Sequence, residues 1–237
     1  MKRIVIICQG RTGSTNLSDF YKKKYKIKNL GEVFRNKDYV NNPDNLINEL
    51  SVKQTWIVKL IPIQVLNAAL LTFLNKKYSQ KLFNNKIRII KHLENFDLYR
   101  TNYSYYIENK EEILKEAVDI CLKVIKLSDY HCYLYRKDFI GQIQSLSRAL
   151  LTQEYGPNRE KENIHITDEV IMKTRIGLIN TYELIKNVYK ISPGEIVSTE
   201  SLNISEKYNS IAVKGNFNII EDYDIEKQVF EIQKNPA

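Results

Sequence analysis

The run Ile4-Val5-Ile6-Ile7-Cys8, followed by the turn Gly10-Arg11-Thr12-Gly13 and the hydroxyl pair Ser14-Thr15, constrains this chain more than any other segment. An unbroken apolar run, β-branched until its last residue, predicts a strand buried on both faces, as in the middle of a parallel sheet. The polar turn ends that strand, and a helix is expected from about Thr15, with Leu17, Phe20 and Tyr21 forming its apolar face. Strand, glycine turn and helix in that order make the first half of a βα unit.

The pattern recurs along the chain. Residues 55–60, 86–93, 130–135 and 195–198 read as further strands. Pro62 opens an apolar helix to about residue 74, since proline is tolerated in a first helical turn. Residues 111–127 form the clearest helix, with Ile113, Leu114, Ala117, Val118, Cys121, Val124 and Ile125 at helical spacing. Another helix is expected over 139–152. A last long one runs to about residue 190, with Thr167 as its cap and Asp168 and Glu169 near its positive end. The polar stretch Asn41-Asn42-Pro43-Asp44 reads as a turn, and residues 155–167, with Gly156-Pro157, as a mobile loop. Alternating strands and helices predict an α/β fold with a parallel central sheet flanked by helices, as one domain over residues 1–237.

A chain of 237 residues buries one substantial core. Its formal charge of +8 favours an anionic partner. The lysines are scattered except at Lys22-Lys23-Lys24, and no zinc spacing or RNA-binding aromatic motif accompanies them. A solvated basic face or a pocket for a small polyanion is therefore favoured over a nucleic-acid groove. Cys8, Cys121 and Cys132 lie in apolar runs without Cys-x-x-Cys spacing and read as reduced, core-packed thiols. No apolar stretch approaches the roughly 20 residues that span a bilayer. The apolar core behind Met1-Lys2-Arg3 is too short for a signal peptide, so a cytoplasmic enzyme is expected.

The first turn carries the chemistry. Helix-start N–H groups and the helix dipole favour an anion there. Gly10 and Gly13 allow a sharp turn and close approach of a ligand to the backbone. Thr12, Ser14 and Thr15 supply hydroxyls, and Arg11 a fixed positive fork. The loop departs from the Gly-x4-Gly-Lys-[Ser/Thr] pattern of nucleotide hydrolases, because Ser14 stands in the lysine slot.

Gln9-Gly10-Arg11-Thr12-Gly13-Ser14-Thr15-Asn16-Leu17 resembles the 5′-phosphosulfate loop of sulfotransferases that use 3′-phosphoadenosine 5′-phosphosulfate (PAPS), in the form found in bacterial trehalose-type enzymes. The segment from Tyr133 to Leu146 is similar to the strand-to-helix segment of that group, with Arg136, Asp138, Gln142 and Ser145 in register. Leu30-Gly31-Glu32-Val33-Phe34 and Val58-Lys59-Leu60 resemble two shorter family segments, so the likeness covers roughly residues 3–153. Val213-Lys214-Gly215 is similar to the basic-glycine segment that closes over the nucleotide in some members.

The resemblance implies a P-loop-like sulfotransferase fold, with PAPS as co-substrate and no metal. It implies donor binding by Gly10, Arg11, Thr12, Gly13, Ser14 and Thr15, with Arg136 and Ser145 on the 3′-phosphate. Arg11 would stabilise the leaving phosphate, and Glu32 would take the acceptor's proton. His92 is the rival base, because aryl members carry a histidine in a Lys-x-His-Leu strand, although Lys91-His92-Leu93 lacks the intervening residue. Tyr99, Tyr103, Tyr105 and Tyr106 either line an acceptor site or pack on the core. The acceptor would be a hydroxyl or amine of a carbohydrate or small metabolite. An atypical nucleotide or sugar kinase, or an inactive nucleotide-binding protein of the same fold, stays open as an alternative. Arg136 with Ser145 separates these readings, since a kinase has no use for a 3′-phosphate site.

Overall fold

The first apolar run forms β1 (Arg3–Cys8), buried from Ile4 onward, and the helix that follows the turn is α1 (Ser14–Tyr25). The computed structural model describes residues 2–10, 12–77, 108–152, 164–202 and 213–232. Next come β2 (Asn29–Glu32), a 3-10 turn (Val33–Arg35), α2 (Lys37–Asn41), α3 (Pro43–Val52), β3 (Trp56–Leu60) and α4 (Pro62–Lys77). The chain resumes with α5 (Lys110–Lys126), β4 (Tyr130–Tyr135), α6 (Phe139–Thr152), β5 (Ile164–His165), α7 (Asp168–Ile191) and β6 (Glu195–Ser198). A second 3-10 turn (Thr199–Leu202), β7 (Val213–Lys214), a third such turn (Phe217–Ile219) and α8 (Ile225–Gln228) complete the described residues.

Among the described residues, five parallel strands form one sheet in the order β2-β3-β1-β4-β6, and β5 pairs with β7 in a separate two-stranded sheet. The fold is therefore α/β with a parallel central sheet flanked by helices, as its strand–helix alternation predicts. The period of two along each strand sorts side chains onto the two faces. Ile4, Ile6, Cys8, Ile57, Cys132, Leu134 and Val197 pack with Leu17 and Tyr21 of α1. Val5, Ile7, Val58, Leu60, Tyr133 and Tyr135 pack on the other face, with α3, α4, α5, α6 and α7. The three cysteines are free and buried. Among the described residues no helix is long and apolar enough to cross a membrane.

Several local expectations need correction. Asn41-Asn42-Pro43-Asp44 is not a connecting turn but the junction of two helices. The Asn42 side chain accepts the Asp44 N–H and Pro43 takes the first helical position, so the turn residues serve as a helix start. Phe20 is 54% exposed, and only Leu17 and Tyr21 of the expected apolar face are buried. Thr167 holds the N-cap position of α7, but its side chain makes no capping hydrogen bond. Within the expected loop 155–167, Ile164–His165 is a strand. The predicted strand 86–93, His92 and the tyrosines from Tyr99 to Tyr106 lie outside the described residues, as does Arg11.

Candidate functional site

The strand order makes β1 the point where the chain changes direction. From β1 it leaves through α1 toward β2, whereas from β4, beside β1, it leaves through α6 and α7 toward β6. The carboxyl ends of two such strands border the crevice in which open α/β sheets place ligands. Both phosphate-type segments lie there, one after β1 and the other after β4.

In the first segment, Gly13 has φ 72° and ψ 18°, a left-handed conformation that favours glycine, and it occupies the N-cap of α1. It brings no side chain to the N–H groups of the first turn, which also holds no acidic residue, while Lys22, Lys23 and Lys24 occupy the last turn. With no acidic side chain to offset it, the helix dipole leaves the loop end of α1 positive. Gly10 does not take a positive φ, and a Cβ there would meet nothing nearer than Leu146 Cδ1 at 3.9 Å. The sharp turn expected at both glycines therefore rests on Gly13. Thr12 is buried, and its hydroxyl donates to Gln9 O at 2.8 Å, closing the loop on itself.

In the second segment, Arg136 Nη2 lies 2.7 Å from Asp138 Oδ2. Asp138 also accepts the Gly141 N–H at 2.8 Å, and its carbonyl accepts the Gln142 N–H at 3.0 Å, so it starts α6. A Cβ on Gly141 would sit 1.9 Å from Asp138 Oδ2 and 2.5 Å from Arg136 Nη2. The ion pair therefore rests directly over the helix start, where only glycine leaves room. Ser145 follows one turn later on the same side of α6, half-buried. Glu200, in the turn after β6, accepts the Lys137 N–H at 3.0 Å and ties the third strand end to this corner.

Buried and partly buried hydrogen bonds join the two segments. Gln142 Nε2 donates to Gly10 O at 2.8 Å, and Gln142 Oε1 accepts from Tyr182 Oη at 2.9 Å. Burial pushes the Tyr182 hydroxyl far above the ordinary phenol range, so it stays protonated and keeps donating. Thr199 Oγ1 lies 2.8 Å from Thr12 O and 2.9 Å from Tyr135 O, and Gln9 Nε2 donates to Thr181 Oγ1. Gln142 is legible in the sequence as part of the second segment. Thr199 and Tyr182 are not, because their partners are backbone or side-chain atoms far along the chain.

Glu32 reaches the same edge through a bulge. The pairing of β2 with β3 shifts register between Asn29 and Gly31, and Gly31 has φ 70°. Asn29 pairs with Ile57, which faces α1, and its side chain donates to Ser18 Oγ in α1 at 3.0 Å. Strict alternation would send residue 32 to the opposite face. The extra residue restores the phase, so Glu32 pairs with Lys59 on the α1 side.

Lys59 stands in an otherwise apolar strand and is 6% exposed. Its Nζ lies 3.4 Å from Thr15 Oγ1 and 3.7 Å from Glu32 Oε1. Glu32 Oε2 is held by Arg35 Nε at 2.6 Å and by Gln64 Nε2 at 2.9 Å. This leaves Oε1 as the less engaged carboxylate oxygen. A buried ammonium therefore stands between the first turn of α1 and a carboxylate, at a loop whose own sequence lacks the usual lysine. The signal for it was a lysine inside an apolar strand.

Burial raises the Cys8 thiol at the end of β1 to about 12, against a smaller lowering by its hydrogen bond with Ser14, so it is no nucleophile at neutral pH. Among the described residues no group of three or more His, Cys, Asp or Glu side chains is arranged to hold a metal. His131 Nε2 sits 3.2 Å from Ser192 O, and His165 is exposed on β5, both apart from this cluster. The edge can thus hold an anion against helix N–H groups and a buried ammonium, with a carboxylate alongside to take a proton. Searches against protein-family models and against curated proteins find no match for this chain.

Proposed function

We propose that the protein is a PAPS-dependent sulfotransferase acting on a hydroxyl acceptor, with a P-loop-like sulfotransferase fold. One observation carries the reading. The two segments that resemble the family's phosphate-binding motifs, far apart in sequence, meet at the switch point of the sheet, joined by Gln142 Nε2 and Gly10 O at 2.8 Å. A kinase would use the first of these segments but has no use for the second.

Bound PAPS supplies an activated sulfuryl group on a phosphate leaving group. The N–H groups of Gly13 to Thr15, the Ser14 and Thr15 hydroxyls and Arg11 hold the 5′ end. Arg136, with Ser145 on α6, takes the 3′-phosphate, for which a guanidinium fork suits a dianion. Such binding requires Arg136 to exchange or share its contact with Asp138.

In the transfer, the acceptor oxygen forms a bond to sulfur as the bond from sulfur to the phosphate oxygen breaks. Glu32 Oε1 receives the hydroxyl proton, and adenosine 3′,5′-bisphosphate leaves with the electron pair. Lys59, together with Arg11 in the role the family resemblance gives it, would stabilise the charge that grows on the leaving oxygen, where cationic groups lower the barrier most. Arg35 and Gln64 fix the carboxylate so that its base oxygen needs no reorientation.

The test is transfer of radiolabelled sulfate from PAPS to pooled carbohydrates and metabolites. Label in an acceptor fraction, lost in Glu32→Gln, supports the reading. Transfer of a labelled γ-phosphate from ATP to the same pool, with none from PAPS, overturns it in favour of the kinase alternative.

A further inference from the structure

The run Lys22-Lys23-Lys24 has no part in the crevice. α1 leads back from the carboxyl end of β1, so its last turn lies at the amino ends of the parallel strands, across the sheet from the candidate site. Three basic side chains in a last helical turn offset the helix dipole, and alone they would call for no partner. Lysines from other segments join them. Lys26 closes α1 in a left-handed conformation, φ 52°, where glycine is favoured. Lys2 and Lys28 precede β1 and β2. Their carbonyls accept the Trp56 and Ile57 N–H groups at 3.2 and 2.9 Å, so they stand on either side of β3.

Lys22, Lys23, Lys24, Lys26 and Lys28 are exposed, and among the described residues no ion pair engages them or Lys2. The carboxylates at this end are engaged elsewhere. Glu49 pairs with Lys53, Asp129 accepts the Arg3 N–H at 2.8 Å, and Glu195 accepts the Tyr130 hydroxyl. On α1 itself the acid is Asp19. Lys2 and Lys24 converge on one ring, with their Nζ atoms 4.5 and 5.3 Å from the centre of Tyr25. Ammonium groups gathered in this way repel one another unless an anion faces them. Apolar tips stand at the same end. Phe20, one turn before Lys24 and 5.5 Å from its Nζ, is 54% exposed, and Val52, which ends α3 just before β3, is 80% exposed.

We propose that this end of the sheet docks on an anionic lipid bilayer, with Lys2, Lys22, Lys23, Lys24 and Lys26 against the headgroups and Phe20 entering the layer beneath them. Lysines beside exposed apolar side chains match both parts of such a surface. A polyanion in water would use the lysines and leave Phe20 and Val52 without a partner. A nucleic acid would also stack its bases on aromatic rings. Tyr25, however, already carries two lysines and stacks on Tyr21, with ring centres 6.1 Å apart. Docked this way, the crevice at the carboxyl ends of the strands faces away from the bilayer. The inference therefore stands apart from the reaction proposed above.

The test is co-sedimentation of the full chain with vesicles of phosphatidylcholine alone, and of phosphatidylcholine and phosphatidylglycerol in equal parts. The protein should pellet with the second kind only, and should be released as salt approaches about 1 M, where charges are screened within about 3 Å. Each lysine near an anionic bilayer strengthens binding roughly fivefold, so Lys22→Gln, Lys23→Gln and Lys24→Gln together should weaken it about 100-fold. Their side chains are exposed, so the Tm should not change. Phe20→Ser should weaken binding severalfold at every salt concentration. Lys37→Gln, Lys76→Gln and Lys173→Gln remove the same charge from exposed positions on α2, α4 and α7, and should leave most of the binding intact. Equal loss in the two triple variants overturns the inference, as does full binding by Phe20→Ser. Absence of binding to the phosphatidylglycerol vesicles, or tighter binding to heparin or a DNA duplex than to them, overturns it as well.

Discussion

Lys59 Nζ lies 3.7 Å from Glu32 Oε1 across the carboxyl ends of two neighbouring strands, and its other contact, Thr15 Oγ1 at 3.4 Å, belongs to the first turn of α1. The pair links the loop that would hold the donor to the carboxylate that would deprotonate the acceptor. Replacing Lys59 by Met keeps an unbranched side chain of nearly the same length and removes the charge, while Arg35 still partners Glu32. Sulfate transfer should fall roughly 10²–10³-fold, the usual loss when one preorganised electrostatic group is removed. Circular dichroism and nucleotide titration check that the fold and the donor site persist. A variant with normal turnover removes Lys59 from the mechanism.

Glu32→Gln keeps the size of the side chain and its contact with Gln64 but cannot take a proton. Turnover should drop by about 10²–10⁴-fold with bisphosphate binding retained. If steady-state rates survive while His92→Asn is inactive, the base assignment passes to His92.

Glycine at position 31 is required by its φ of 70°, not by crowding, since a Cβ there would have nothing within 4 Å. Gly31→Ala should cost about 1–2 kcal/mol in urea unfolding through left-handed strain alone. Relief of that strain would straighten the bulge and turn Glu32 from Lys59, so activity should fall further than stability does. Wild-type stability with wild-type activity would show that the bulge does not set the position of Glu32.

Arg136→Ala and Gly141→Ala attack one feature in two ways, by removing the guanidinium and by driving a methyl into its contact with Asp138. Both should weaken adenosine 3′,5′-bisphosphate and leave AMP nearly unchanged. For Arg136→Ala the loss is about 1.5–3 kcal/mol, the range for a charged hydrogen-bond partner. Equal weakening of both nucleotides would mean that the corner supports the loop instead of reading a 3′-phosphate.

Burial raises Cys8, Cys121 and Cys132 from an ordinary 9.0 to about 12. Raised thiol pKa values stabilise the fold fully below pH 9.0, and that contribution is lost as pH climbs toward about 12. Unfolding midpoints should therefore decline across this alkaline window, and iodoacetamide at neutral pH should label the thiols only after denaturation. Rapid native labelling with loss of activity would contradict the buried, inert assignment.

The elements most legible in the sequence were those whose pattern keeps one period from end to end. β1, β4 and β6 occupy the predicted residues, and α6 spans the predicted 139–152. β2 escaped notice because its four residues are all half-buried and a bulge breaks the alternation that marks a strand. α2 and α3 were hidden by Asn36 and Asn42, which cap helices with the same side-chain geometry that makes turns. Within the site, the glycine turn and the arginine segment announce themselves as motifs. Lys59 and Gln64 gain meaning only when the sheet brings Glu32 beside them, since no local spacing connects residues on separate elements.

If one crevice reads two phosphates, at the end of β1 and at the end of β4, competitive calorimetry will show it. Adenosine 3′,5′-bisphosphate, AMP and ATP are titrated into the full chain with and without magnesium. The bisphosphate should bind at least tenfold more tightly than AMP or ATP, on the scale of one charged hydrogen-bond pair, and magnesium should make no difference. Equal affinity for the bisphosphate and AMP, or a preference for ATP that depends on magnesium, would contradict it.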